Sequence, residues 1–71
     1  MNMFANINTI SSSAINGRSI NEYEIETSIG NFYVVEWENA ESIIERKIFE
    51  NKDEANKKYR CILKAFINDK I

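Results

Sequence analysis

The stretch EYEIETSIGNFYVVEWE, residues 22–38, carries the pattern that decides the fold. In its first half, apolar or β-branched residues alternate with glutamates, and a period of two is typical of a strand with one buried face. Its second half is rich in aromatic and β-branched residues, which favour a second strand. Because Gly30 and Asn31 stand between the halves, the stretch predicts a β-hairpin.

The length of the hairpin loop decides which side chains share a face. A two-residue loop at 30–31 would place Glu36 opposite Ile25, with a charge on the apolar face. A three-residue loop that begins one residue earlier places Val35 opposite Ile25 and keeps the apolar side chains together. We expect this second register, whose cross-strand pairs should each add roughly 0.2 to 1 kcal/mol. Its pairs are Tyr23–Trp37, Ile25–Val35 and Thr27–Tyr33.

The chain before this hairpin leaves two alternatives open. Asn16-Gly17 is a strong two-residue hairpin signal and would place Ile10 opposite Tyr23. Residues 1–19 are therefore either an edge strand, with Met3, Ala5, Ile7 and Thr9 on one face, or a mobile N-terminal arm.

After the hairpin, the sequence predicts one more strand. Asn39-Ala40-Glu41 interrupts the alternation, and Ile43–Phe49 resumes it with apolar residues on both sides. This double pattern indicates either that neither face of the sheet is wholly wet or that the strand contains a bulge.

A C-terminal helix is predicted from Asn51 onwards. Asn51 is a good N-cap residue, and Glu54 three positions later completes a pattern like a capping box. Residues at helical spacing form one apolar stripe: Ala55, Tyr59, Ile62, Leu63, Phe66 and Ile67. We expect the stripe to lie on Tyr23, Ile25, Tyr33, Val35 and Trp37. Cys61 lies beside the stripe and is expected to be a small buried or half-buried hydrophobe.

Together these patterns predict an α+β fold, in which an antiparallel β-sheet packs against one C-terminal α-helix. The sheet has three strands, or four if the N-terminal segment pairs. Residues 20–71 form a single β-β-β-α domain, and the 71-residue chain has room for no second core.

Composition argues against several classes of function. The chain has one cysteine and no histidine, and it contains no GxGxxG, P-loop, HExxH or GxSxG motif. We therefore expect no catalytic residues, no metal site and no cofactor. No apolar run approaches the ~20 residues of a membrane span, and the first ten residues lack signal-peptide features. We expect a cytoplasmic protein, or one in the host cytoplasm if it is phage-encoded.

The expected register places an acidic surface on the sheet face away from the helix. Its predicted partner-binding residues are Glu22, Glu24, Glu26, Glu36 and Glu38, with Phe32 and Val34 as an apolar end that Phe49 could join. Directly opposed glutamates destabilise a sheet, so the cluster is either relieved by Arg46 or Lys47 or retained for a partner. We expect that partner to be another protein or a second copy of the chain.

Two resemblances extend this expectation. As a short, acidic chain rich in Asn, Ile and Lys, the protein resembles small inhibitors carried by phages and mobile elements, which implies occlusion of another protein. Its strand order and the segment 49–55 are similar to the AP2-like arm-binding domains of phage integrases, which implies DNA contact through a basic sheet face. Because the strands here carry glutamates, which repel phosphate, only the helix residues Lys57, Lys58, Arg60 and Lys64 are candidates for binding nucleic acid.

Overall fold

A computed structural model describes residues 6–71 of the chain. Four antiparallel strands form one sheet in the order β1-β2-β3-β4, and one C-terminal helix packs on it. The bounds are β1 Asn6–Ile15, β2 Arg18–Thr27, β3 Gly30–Glu38, β4 Ile44–Phe49 and α1 Lys52–Ile67. This confirms the predicted α+β class, with four strands in the sheet. Met3 and Ala5 of the predicted strand face lie outside the described residues.

The first hairpin turns at Asn16-Gly17, so of the two alternatives for the N-terminal segment the edge strand is the one that forms over Asn6–Ile15. Both turn residues have positive φ, 54° and 76°, as a tight two-residue turn between twisted strands requires. The turn pairs Ile15 with Arg18, but the register shifts at Ile10, where β1 contains a bulge. The pairing of Ile10 with Tyr23 is therefore wrong, and Thr9 takes that place.

The register of the second hairpin is also different from the predicted one. The turn is Ser28-Ile29, so Thr27 pairs with Gly30 and the three-residue loop is wrong. Gly30, with φ of 141°, is the first residue of β3 and not part of the loop. The hydroxyl of Thr27 fixes this turn, since it donates to the Gly30 carbonyl at 2.7 Å and accepts from the Ile29 amide at 3.2 Å. The observed pairs include Ile20–Trp37, Tyr23–Val34 and Ile25–Phe32.

This register decides which residues face the helix. Tyr33, Val35 and Trp37 of β3 lie on the helix side, as predicted, and Ile20 of β2 joins them. Tyr23 and Ile25 were predicted under the helix, but they pair with Val34 and Phe32 and therefore lie on the opposite face. The buried cluster is Ile20, Val35, Trp37, Ala55, Tyr59, Ile62 and Phe66.

The fourth strand pairs with β3 without interruption. Asn39 shapes the preceding turn, since its side-chain oxygen accepts from the amides of Glu41 and Ile43 at 2.9 and 3.0 Å. The register from Tyr33–Phe49 to Glu38–Ile44 is continuous, so the possible bulge in this strand is absent. Phe49 lies on the helix side with Tyr33 and does not join the predicted apolar end.

The helix begins where the sequence predicts. The Asn51 side chain accepts hydrogen bonds from the amides of Asp53 and Glu54 at 2.8 and 3.2 Å. Four of the six stripe residues are buried and Leu63 packs against them. Ile67 is the exception at 58% exposure, because it is the last residue of the helix. Cys61 is exposed, contrary to prediction.

Polar contacts attach the first hairpin to the helix. The hydroxyls of Ser13 and Tyr59 are 2.7 Å apart, and the Asn16 side chain donates to the Phe66 carbonyl at 3.3 Å. Arg18 is buried and forms an ion pair with Asp69 at 2.6 Å. These contacts hold β1 and β2 against the middle of the helix, its C-terminal end and the residues that follow it.

We expect Asn51→Ala to destabilise the protein by about 0.5–2 kcal/mol, because two amides at the helix N-terminus lose their acceptor. Urea denaturation followed by circular dichroism measures the change. Asn51→Asp is the matched control, since its carboxylate can still accept from both amides. Equal loss in the two variants would contradict the capping role.

Candidate functional site

The sheet face opposite α1 is covered by no other element of residues 6–71, and we call it the open face. The strand registers arrange its side chains in four rows. The rows are Ile7–Ile25–Phe32, Thr9–Tyr23–Val34–Ile48, Ser12–Asn21–Glu36–Arg46 and Ala14–Ser19–Glu38–Ile44. The first two rows, nearest the β2–β3 turn, are almost entirely apolar or aromatic, and the other two are mostly polar.

The apolar rows are exposed at the edges of the sheet and filled at its centre. Ile7 on β1 is 66% exposed and Ile48 on β4 is 60% exposed. Val34, between Tyr23 and Ile48, is only 1% exposed, although within the described residues no helix covers this face. The surface is thus continuous from one edge strand to the other, and a contiguous apolar surface of this kind is typical of contact sites for other macromolecules.

The bulge in β1 completes the first row. Without it, the Asn16-Gly17 turn would place Asn8 opposite Ile25 on the open face. With it, Ile7 takes that position, and Asn8 turns to the helix side, where it donates to Glu26 at 2.7 Å. One extra residue therefore replaces an amide by an isoleucine on the open face.

The open face carries little net charge. The Nε of Arg46 donates to Glu36 Oε2 at 2.9 Å, and this hydrogen bond with Glu36 is the main reason that the pKa of Arg46 is raised. Glu38 lies between Ser19 and Ile44. Four predicted residues do lie away from the helix: Phe32, Val34, Glu36 and Glu38. The pairing of Arg46 with Glu36 agrees with the alternative in which a cation of the neighbouring strand reduces the repulsion between glutamates.

The predicted acidic cluster of five glutamates does not form. Glu22, Glu24 and Glu26 lie on the helix side, opposite Val35, Tyr33 and Asn31 respectively. The error has one cause: the true register changes the parity of the pairing, so the glutamates of β2 move to the face that was assigned to its apolar residues. Glu24 influences its neighbour, since the pKa of Tyr33 is raised by burial first and by Glu24 second.

Glu22 forms a second polar site that the strand pattern did not reveal. It is only 2% exposed, beside a depression of about 460 Å3 between β1 and α1. With its amide nitrogen turned towards Glu22, Asn56 donates to Oε1 at 3.2 Å and also to Oε2. Burial raises the pKa of Glu22, while the positive charges of Lys52 and Arg60 act in the opposite direction. The depression is lined by Ile10, Ser11, Glu22, Lys52, Asn56, Tyr59 and Arg60.

A helical signal for this site does exist in the sequence. Lys52, Asn56 and Arg60 follow at intervals of four, so they form one polar ridge beside the apolar stripe. A ridge that supplies two cations and an amide next to a buried surface fits a buried carboxylate. Among residues 6–71, no second acid lines the depression and no group of three or more metal-ligating side chains is found.

The four basic residues predicted for nucleic-acid contact are divided among different surroundings. Lys57 and Lys64 are exposed on the outer side of the helix. Lys58 is half-buried, with its Nζ 5.3 Å from the centre of the Trp37 ring, a cation–π distance. Arg60 lines the depression of Glu22. They do not form one uniform cationic surface.

Comparisons with models of known protein families, with curated proteins and with solved structures found no match to this chain. Among residues 6–71, no helix has both the length and the apolar character needed to cross a bilayer.

We expect Glu22→Gln to stabilise the protein at pH 7. The folded state raises the pKa of this carboxyl above its usual 4.5, so folding favours the protonated form. The free energy of unfolding consequently falls as the pH rises from below 4.5 through the pKa of Glu22 in the folded state. Gln does not ionise, so the variant does not lose this stability.

Thermal unfolding measures the effect, each ~1 kcal/mol corresponding to about 4–8 °C in Tm for a domain of this size. The advantage of the Gln variant should shrink as the pH is lowered towards 4. Glu41→Gln, at an exposed position, is the control and should show no comparable pH dependence. A lower Tm for Glu22→Gln at pH 7 would mean that the carboxylate charge stabilises the fold.

Proposed function

We propose that the protein is a non-catalytic binding module that docks onto another protein chain through its open face. The observation that carries this proposal is the pair of apolar rows, one across three strands and one across all four, which no other element of residues 6–71 covers. The apolar rows are the contact centre, and the row containing Glu36 and Arg46 forms the polar rim, as in known interfaces.

The orientation of β2 supports the proposal. An antiparallel sheet with one solvated face normally directs its polar residues outwards. Here β2 directs Glu22 and Glu24 to the helix side, while Tyr23 and Ile25 face away from the helix. This arrangement stabilises the protein fully only when a second surface covers the open face.

The expected gain on covering this face is substantial. Fully burying one large aliphatic side chain contributes roughly 1.5–3 kcal/mol. Ile7, Ile44 and Ile48 lie on the open face and are each more than half exposed. Covering them, together with the half-buried Ile25 and Phe32, provides several kcal/mol towards association, from which the entropic cost of association is subtracted.

Charge favours a protein over a nucleic acid as the partner. The open face carries two glutamates and one arginine, and that arginine is already paired with Glu36. A phosphate backbone requires unpaired cations on the contact surface. The cations of the helix are divided, since Lys58 lies on the Trp37 ring and Arg60 beside Glu22, so we do not propose nucleic-acid binding.

A photoreactive benzophenone amino acid at position 48 tests the proposal in cells that naturally express the protein. We expect a covalent adduct with a protein chain, either a second copy or a different protein, identified by mass spectrometry. The same amino acid at position 67 is the control, because Ile67 is similarly exposed, at 58% against 60%, but lies on the helix. Adducts at position 48 no more frequent than at position 67 would contradict the proposed function.

A further inference from the structure

We infer that the occupant of the open face is a second copy of this chain, stacked face to face into a two-sheet sandwich with both helices on the outside. The inference rests on the proposed function, because it specifies the partner for the same surface. Two sheets that pack in this way lie about 10 Å apart, with side chains from the two inner faces between them.

The order of residues within each row is self-complementary. A two-fold axis parallel to the strands, between β2 and β3, lays each row over the same row of the second copy in reverse order. Near the axis, Tyr23 then faces Val34 of the partner subunit, and Ile25 faces Phe32 of the partner subunit. The apolar side chains of the two inner strands therefore cover each other, and Ile48 faces Thr9 of the partner subunit.

The same operation satisfies the charges of the polar rows. Glu36 faces Asn21 of the partner subunit, whose amide can donate to a carboxylate. Glu38 faces Ser19 of the partner subunit, and Arg46 faces Ser12 of the partner subunit. With this axis, no carboxylate lies over another. A two-fold axis perpendicular to the strands, through the centre of the four rows, would instead place the row of Phe32 over the row of Glu38.

The area that each arrangement can bury also favours complete overlap of the two faces over overlap of the apolar rows alone. Four strands spaced ~4.8 Å apart and four rows spaced ~6.8 Å apart give a projected area on the order of 500 Å2 per copy. Complete overlap buries roughly 1,000 Å2 in total before side-chain relief is added, which approaches the lower limit for a specific interface. An axis across the strands that overlaps only the apolar rows buries about half as much, too little for a stable dimer.

The small core gives a second copy a clear energetic role. A domain of this size buries only about 60% of the surface of its unfolded chain and gains stability from oligomerisation. A sandwich makes Val34 and its neighbours part of a second core, shared between the two copies. It leaves Lys57 and Lys64, which are exposed on the helix, at the outer surface of the dimer.

Sedimentation equilibrium of the purified chain over a concentration series tests this inference, and we expect a dimer. Ile25→Lys and Ile48→Lys should each raise the dimer Kd by at least about 100-fold, because each places a charge within the apolar rows that the dimer buries. Ile67→Lys is the matched control and should leave the Kd unchanged. Circular dichroism establishes that each variant is folded. Ile25 lies on an inner strand, so edge-to-edge pairing of sheets would not respond to its substitution.

A second measurement remains informative if a variant does not fold. The exposed Cys61 is the single cysteine of the chain and accepts a spin label on the outer helix. In the sandwich, two sheets separate the labels, so double electron–electron resonance should give a distance of roughly 30 Å or more. A distance below about 20 Å would indicate contact through the helices and overturn the inference.

The outcomes separate this inference from the proposed function. A monomer at every concentration, with adducts from position 48 to a different protein, overturns the second copy and leaves the proposed function standing. A dimer that survives both open-face substitutions overturns the sandwich and places the contact elsewhere. A monomer with no specific adduct contradicts both.

Discussion

The pairing of Tyr23 with Val34 is the constraint on which the rest of the structure depends. It determines that the even-numbered residues of β2 share a face with the odd-numbered residues of β3. Ile20, Val35 and Trp37 thereby meet under the helix, while Tyr23, Ile25 and Phe32 come together on the open face. In the predicted register, Glu24 would lie opposite Glu36 and Glu22 opposite Glu38. In the observed one, no glutamate of β2 faces a glutamate of β3, which removes the repulsion between opposed like charges.

The helix side accommodates the glutamates of β2 in two ways. Glu22 is buried, and the amide of Asn56 and the charges of Lys52 and Arg60 offset only part of the loss of water, since its pKa is still raised. Glu26 lies towards the β2–β3 turn, where it accepts from Asn8. The bulge in β1 makes this last contact possible and at the same time places Ile7 on the open face. The polar contacts of one side and the apolar rows of the other therefore arise from the same register.

Local signals in the sequence were sufficient to predict the helix and the first turn. They were not sufficient to predict how the strands pair, because pairing joins residues that are far apart in the chain. The Asn51 cap and the Asn16-Gly17 turn each depend on a few neighbouring residues, and both are confirmed. The faces of β3 were also predicted correctly, which places Phe32 and Val34 on the open face. For β2, alternation shows that its two faces differ but not which one the helix covers, and Gly30 was mistaken for part of the turn. No pattern in the sequence predicts the bulge at Ile10.

The two faces of the sheet differ in how far the chain satisfies them by itself. On the helix side, the described part of the chain leaves no buried side-chain nitrogen or oxygen without a hydrogen-bond partner. On the open face, Arg46 pairs with Glu36, yet Ile7 and Ile48 in the apolar rows remain 66% and 60% exposed. A polar group can be satisfied by one well-placed neighbour, but an apolar surface is stabilised only by area removed from water. Within residues 6–71 the single helix lies on one face of the sheet, so the apolar rows of the open face would still gain stability from a covering layer.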